Sequence, residues 1–420
     1  MKHKLTAVLA LTLAVLMLSA CADPSKFSDK ERLSGKVSRS KDITVTFNYA
    51  DGTEEAPSAY NSFAIGATEL ALKELTQTAK AEDSSFVFAP SSSVLQLGML
   101  ANAASSDLRQ EISIAMGNLS VEDLNTCSSY FKSRLENVSK ANKNTKADIK
   151  LSGALFADDN IDIKTSFLQN VKDFYGYDVF RFDYNGKNAQ KKLRGYNKGY
   201  DGDFPLTEGT LELLSSSGIH DTWLRAAQEM SGVFSGANGA QNTDFFTADA
   251  QLLHSKTASG AVVYTADNPL KLVLVMPNEG ISLSDFLNTF NSDEYTALLN
   301  SADITKTGAA NIPAFSLDAD RELHRLSSVL PACGLPTLFT EKAGFSALSY
   351  HADTKLDEMF ELRPSFILDR NGINAEGLQH GAAEEQAAAP ADTLTFDRPF
   401  IFMLADNETG IPVQAGIFRG

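Results

Sequence analysis

The sequence predicts an α+β fold organised around a large mixed β-sheet. Three observations carry that expectation. Strand-like runs and helical 3.6-residue patterns alternate irregularly along the chain, with no strict βαβ repetition. Of 420 residues, 43% are apolar and 21% charged, the composition of a globular protein. After Ser58 there is no internal repeat and no long Pro/Ser linker. One domain over residues 58–420 is therefore expected, where length alone would suggest two or three.

The first 21 residues are a targeting segment. Lys2 and Lys4 make a positive start, Leu5–Ala20 is apolar, and Leu18-Ser19-Ala20-Cys21 ends the run with small residues before a cysteine. The run is too short for an ordinary membrane span and fits an export signal. "LSAC" resembles a bacterial lipobox, which implies cleavage before Cys21 and lipid on its thiol. Cleavage removes Lys2 and Lys4, leaving 35 basic against 53 acidic residues and a net charge of −18. Such a chain has no electrostatic attraction to an anionic membrane, so the lipid must hold it there. The same acidity excludes a nucleic-acid partner. An exported, membrane-anchored location at the cell envelope or surface is expected.

Residues 22–57 are polar and lack a sustained helical period; they read as a tether with one strand at Ile43–Phe47. From Ser58 the signals sharpen. Phe63, Ala67, Leu70, Ala71 and Leu75 share one face of an amphipathic helix. In Ser84–Gly117 a short strand, Phe86–Phe88, stops at Pro90. Ser91 or Ser92 is then expected to cap a helix that is apolar nearly all round, and so buried. Strands are predicted at Asp148–Phe156, Lys271–Met276, Ile312–Leu317 and Ser365–Leu368. With Cys21 assigned to lipid, Cys127 and Cys333 remain, 206 positions apart; they form one disulfide or stay as free buried thiols.

"LTFDRPFIFML", Leu394–Leu404, ends the chain's sequence signals. Phe400–Leu404 reads as a buried strand, and Pro399 is tolerated because it precedes the strand, where no ladder hydrogen bond is lost. Four segments, in order, resemble the serpins: "FVFAPSSSVLQLGMLANAA" (Phe86–Ala104), "NPLKLVLVMPNEGISLSDF" (Asn268–Phe286), "NIPAFSLDADRELHRLSSVLPACGLPTLFTEKAGFSALS" (Asn311–Ser349), and "LTFDRPFIFMLADNETGIPVQAGIFRG" (Leu394–Gly420). The last matches the family's carboxy-terminal signature, with Phe396, Asp397, Arg398, Pro399 and Phe400 as its core. The resemblance spans about 360 residues. It implies a single serpin domain: a large central mixed sheet, surrounding helices and an exposed reactive-centre loop over about 372–395.

The family's mechanism is inhibition by a suicide substrate: a protease cleaves the loop, and the freed arm enters the sheet as a new strand. Inserted side chains must then alternate between faces, with small apolar ones inward. With Gly372 as hinge, the inward set is Ile373, Ala375, Gly377, Gln379, Gly381, Ala383 and Glu385, and Asn374 faces outward. With Gly377 as hinge, His380 and Glu384 would be buried unpaired, which costs several kcal/mol. The Gly372 register is therefore adopted. Counting along it places the reactive bond at Gln386-Ala387, within the range Glu385 to Ala389. No lysine or arginine occurs from Ile373 to Thr395, which disfavours trypsin-like targets and suits serine or cysteine proteases with small or permissive pockets.

Departures from the inhibitory pattern support an alternative, a non-inhibitory serpin-fold binding or structural lipoprotein. Ile373-Asn374 replaces the usual Thr-Glu, and Glu376 and Leu378 interrupt the small residues. Of the serines expected at the shutter, where the sheet opens, Ala89 replaces the first and Ser92 keeps the second. No histidine is evident near Glu361–Arg363. Trp223 precedes the expected position of the breach tryptophan, where Phe234 stands instead.

An enzyme is not expected. There is no Gly-x-Ser-x-Gly elbow, His-Glu-x-x-His, paired Cys-x-x-Cys or phosphate-binding glycine loop. His3, His220, His254, His324, His351 and His380 are scattered, and His324 reads as a helix residue beside Leu323 and Leu326. No cofactor or metal is expected, and the chain is expected to be a monomer whose partner is its target protease.

Overall fold

Helix α1 (Tyr60–Ala81) forms on the predicted face: Phe63, Ala67, Leu70, Ala71 and Leu75 are each at most 1% exposed. These elements belong to a computed structural model that describes residues 23, 25–41, 55–137, 147–198, 200–237, 239–266, 269–317, 322–351, 353–375 and 392–420. Strand β1 (Phe86–Phe88) precedes α2 (Pro90–Ala101), every residue of which is buried. The expected serine cap is not made. Ala89 is the N-cap residue, and its amide donates instead to Glu361 Oε1 at 2.6 Å. The hydroxyls of Ser91 and Ser93 donate to Val413 O and to Glu74 Oε2. In a helix with no wet face, side-chain oxygens are taken by tertiary partners before they can fold back on their own turn.

Helices α3 (Ser106–Ala115) and α4 (Val121–Glu136) pack on α2, and α5 (Thr165–Asn170) runs on into a π-turn (Val171–Tyr175). Strands β2 (Asp148–Asp158), β3 (Asp178–Phe182) and β4 (Thr210–Thr222) lie on one sheet, and α6 (Ala189–Tyr196) covers part of it. Then come β5 (Gln228–Gly236), β6 (Gly239–His254), β7 (Ala258–Tyr264), β8 (Leu270–Pro277), α7 (Leu283–Thr289), α8 (Ser292–Asn300) and β9 (Gly308–Pro313). The chain closes with β10 (Phe315–Ser316), β11 (Leu323–Arg325), β12 (Lys355–Leu362), β13 (Ile367–Asp369), β14 (Gly372–Ile373), β15 (Thr393–Thr395), β16 (Phe400–Asp406) and β17 (Pro412–Phe418).

Among the described residues these strands make two sheets. One runs β1-β17-β16-β8-β7-β6-β9-β15, with β5 paired to β6. The other holds β3, β2, β4, β12 and β11 side by side, with β14, β13 and β10 at one end. It is mixed: β2 is antiparallel to β4, whereas β4 and β12 are parallel. The main core lies between the sheets and includes α2, Leu211, Leu213 and Ile219 of β4, Met359 of β12 and Phe402 of β16. The α+β expectation holds, and the four predicted strands appear as β2, β8, β9 with β10, and β13.

A further expectation changes, and one left open is resolved. Residues 25–41, expected as a tether, dock on the body. Phe27 stacks on Phe180 with centroids 4.2 Å apart and lies against Phe156, Phe182 and Tyr196, while Arg32 pairs with Asp178. Polar composition concealed this because few apolar groups do the anchoring: Phe27 and Leu33 are joined by the ion pairs Arg32–Asp178 and Glu31–Lys192 and by Ser40 donating to Asp173. The predicted strand Ile43–Phe47 and the signal segment with Cys21 lie outside the described residues. Cys127 and Cys333 are free and buried. Burial pushes both thiols up, Cys127 to about 12, so neither is a ready nucleophile.

Candidate functional site

The site is built where β4 and β12 meet. Over most of their length they pair directly and in parallel, from Lys355↔Thr210 to Leu362↔Ser216. Beyond Leu362 the chain passes Pro364 and continues as β13, and here the neighbours change. A tight turn at Asp369–Gly372 sends the chain back as β14, which lies between β13 and β4 and is antiparallel to both. Gly372 is required: its φ is +145°, and a Cβ there would sit 2.1 Å from Asp221 O. Ile373 is fully buried and Ala375 is 3% exposed, as the Gly372 register expects for an inward set.

Asn374 departs from that register. It was expected to face outward, yet it is 8% exposed with φ +48°. Its side-chain amide donates to Ile219 O (2.8 Å) and Ser365 O (2.9 Å), and Oδ1 accepts from Ile367 N–H at 2.8 Å. The left-handed backbone turns the carboxamide back into the sheet, where an extended residue would have pointed it away.

Trp223 also differs from expectation. It stands at the end of β4, 2% exposed, and its indole N–H donates to Asp369 O of β13 at 2.8 Å. The tryptophan therefore ties the end of β4 to the turn between β13 and β14. Phe234 packs elsewhere, against Phe400 and Phe418. No histidine lies on β12 near Glu361–Arg363, but one stands on the neighbouring strand. His324 lies in β11, not a helix, and is the register partner of Glu361 in β12. Its Nδ1 is 3.7 Å from Glu361 Oε2, and its ring meets Phe88 edge-on. Ser92 is buried in α2 beneath, while the bonded hydroxyls are those of Ser91 and Ser93. Burial raises the Glu74 carboxyl well above its usual range, against the Ser93 hydrogen bond and with Glu361 nearby. Two ionisable residues inside the apolar runs "LHRL" and "MFELRP" were the available sequence signal for this pair.

Gly377, Glu385, Gln386, Ala387 and Ala389 lie outside the described residues. The chain is described again from Asp392, where β15 adds to β9 in parallel at the edge of the other sheet. The arm and its return thus belong to different sheets. Phe396 is buried and its N–H donates to Asn311 O; the Asp397 carbonyl accepts from Ser235 N–H; Arg398 donates to Pro277 O. Pro399 precedes β16, and Phe400 begins it opposite Phe418.

The family model "Serpin (serine protease inhibitor)" matches residues 66–196 and 244–419. The chain belongs to the serpin family. Among solved serpin structures, tengpin, a thermophilic serpin in its native state, matches with a TM-score of 0.75 at 20% identity, covering 93% of this chain and 99% of that one. Native protease nexin-1 with heparin matches with a TM-score of 0.71 at 15% identity, covering 86% and 100%. By sequence, the human plasma serine protease inhibitor is 23% identical over 78% of this chain and 83% of its own. An α-1-antitrypsin-like protein of Ictidomys tridecemlineatus is 23% identical over 78% and 81%. Serpins are in general protease inhibitors and not enzymes.

Proposed function

We propose that this serpin inhibits proteases as a suicide substrate, by cleavage of the loop after Gly372 and insertion of its arm between β4 and β12. One observation carries the reading: the arm has entered the sheet for two residues as β14, while β4 and β12 remain directly paired below it. A further strand between two parallel neighbours would be antiparallel to both, as β14 already is, and would gain a ladder on each edge.

The bait is Gln386-Ala387, with Glu385 to Ala389 as its range, and the targets are serine or cysteine proteases with small or permissive pockets. The acidic pair Glu384-Glu385 favours enzymes with a basic rim. Mass spectrometry of the carboxy-terminal fragment released by elastase, papain and trypsin tests this. A primary cut within Glu385–Ala389 is expected, and a covalent complex with trypsin would refute the assignment. The protein is a bacterial lipoprotein held by lipid on Cys21 at the cell envelope or surface. Cys21→Ser should release it from membranes, and its retention after a carbonate wash would refute the anchor.

A second reading, a non-inhibitory serpin-fold binding or structural lipoprotein, is favoured by one feature. Asn374 ends β14 in a left-handed conformation, so the arm does not run on as a strand from where it starts.

A further inference from the structure

The hydrogen bonds around Asn374 are placed where an advancing strand would need them. In the ladder begun by Gly372↔Thr222 and Ile373↔Asp221, residue 374 falls opposite His220 and residue 375 opposite Ile219. Asn374 Nδ2 donates to Ile219 O, so the side chain occupies the β4 edge one position ahead of its own backbone. On the other side the same amide donates to Ser365 O, while Oδ1 accepts from Ile367 N–H and the Asn374 backbone N–H donates to Ile367 O. The Asn374 carbonyl accepts from His220 Nδ1 at 2.9 Å, which places the proton on that nitrogen. One carboxamide thus joins β4 to the β12–β13 connection with all its hydrogens spent, in a residue that is 8% exposed.

We infer that Asn374 is a positioning residue for loop insertion: a latch that stops the arm after Ile373 and sets the barrier to its further entry. The inference rests on the insertion mechanism proposed above. For residue 375 to pair with β4, Asn374 must leave φ +48° for an extended conformation, and its three side-chain hydrogen bonds must break before the new ladder bonds form. The inserted product contains none of these bonds, so their loss acts on the rate of insertion and not on the stability of its end state. Asparagine suits the part because it tolerates the left-handed region and carries both donors and an acceptor.

The test uses Trp223, the chain's only tryptophan, as a reporter, because it donates to the carbonyl beside the β13–β14 turn. The loop of the full chain is cut with elastase, and Trp223 fluorescence and the thermal midpoint are followed with time. Asn374→Gly keeps the positive φ accessible but removes the carboxamide; Asn374→Ala removes both. Both should insert about tenfold faster than wild type, the factor that about 1.4 kcal/mol of barrier is worth, and reach the wild-type final midpoint. His220→Ala, which removes one bond from an exposed side chain, should accelerate in the same direction by a smaller factor. A merely structural asparagine would lower the midpoint of the intact protein and leave the insertion rate unchanged; that result overturns the latch. Insertion by Asn374→Gly where wild type fails to insert supports it. Insertion by neither would overturn the insertion mechanism itself, and the latch with it.

Discussion

Ala375 is buried at the start of the arm, 3% exposed. Ala375→Arg should therefore leave the loop cleavable but block insertion, because burying an unpaired guanidinium costs several kcal/mol. Covalent complex should fall more than tenfold relative to cleaved product on a denaturing gel, and a wild-type ratio would contradict the register. Glu212, near the start of β4, offers a pH test. Burial pushes its carboxyl up to about 8, against the Thr207 N–H that it accepts at 3.2 Å. A carboxyl with a raised folded pKa keeps its proton in the native state. Its contribution is full below about 4.5 and is lost as pH rises through 8. Glu212→Gln keeps the acceptor and removes the titration. It should flatten the fall in native stability over that window by a few kcal/mol at most; equal slopes in urea titrations of both proteins would contradict it. Asn374 shows why such residue-scale detail was hidden in the sequence. Alternation assigns it outward, and only the φ that follows Gly372 and the edges offered by Ile219 and Ser365 turn it inward.

At the scale of elements, legibility followed locality. Helix α1 was visible because five apolar residues repeat at helical spacing, and β16 because Phe400–Leu404 is uninterrupted and bounded by Pro399. Helix α2 was legible as buried, but its cap was not, since Glu361 reaches Ala89 from a strand 272 positions away. The His324–Glu361 pairing likewise depends on the register of β11 against β12, which no local pattern specifies. Trp223 was misassigned for the same reason: its partner, Asp369 O, is set by how far β4 extends. Glu361 links β12, the neighbouring β11 through His324, and the start of α2 through the Ala89 amide. Glu361→Ala should cost about 1–3 kcal/mol, because it strips a buried amide of its acceptor. Chemical denaturation measures that loss. A change within ±0.5 kcal/mol, the range of an ordinary surface substitution, would contradict the role.

At the scale of the molecule, the two ends flanking the predicted loop lie in different sheets: β14 is in the sheet of β4 and β12, and β15 is an edge of the other. On the proposed mechanism, cutting that loop frees the arm to extend along β4. The order of residues 25–41 against β3 and α6 also bears on the whole, because an anchor at Cys21 would then be separated from the docked segment by only a few residues. The most direct measurement is calorimetry of the full chain before and after a single cut within Glu385–Ala389. Insertion adds a strand's hydrogen bonds and buried area, so the cut protein should melt well above the intact one, by 10 °C or more on the order-of-magnitude scaling of a few degrees per kcal/mol. An unchanged or lower midpoint after complete cleavage would contradict insertion and leave the non-inhibitory reading in its place.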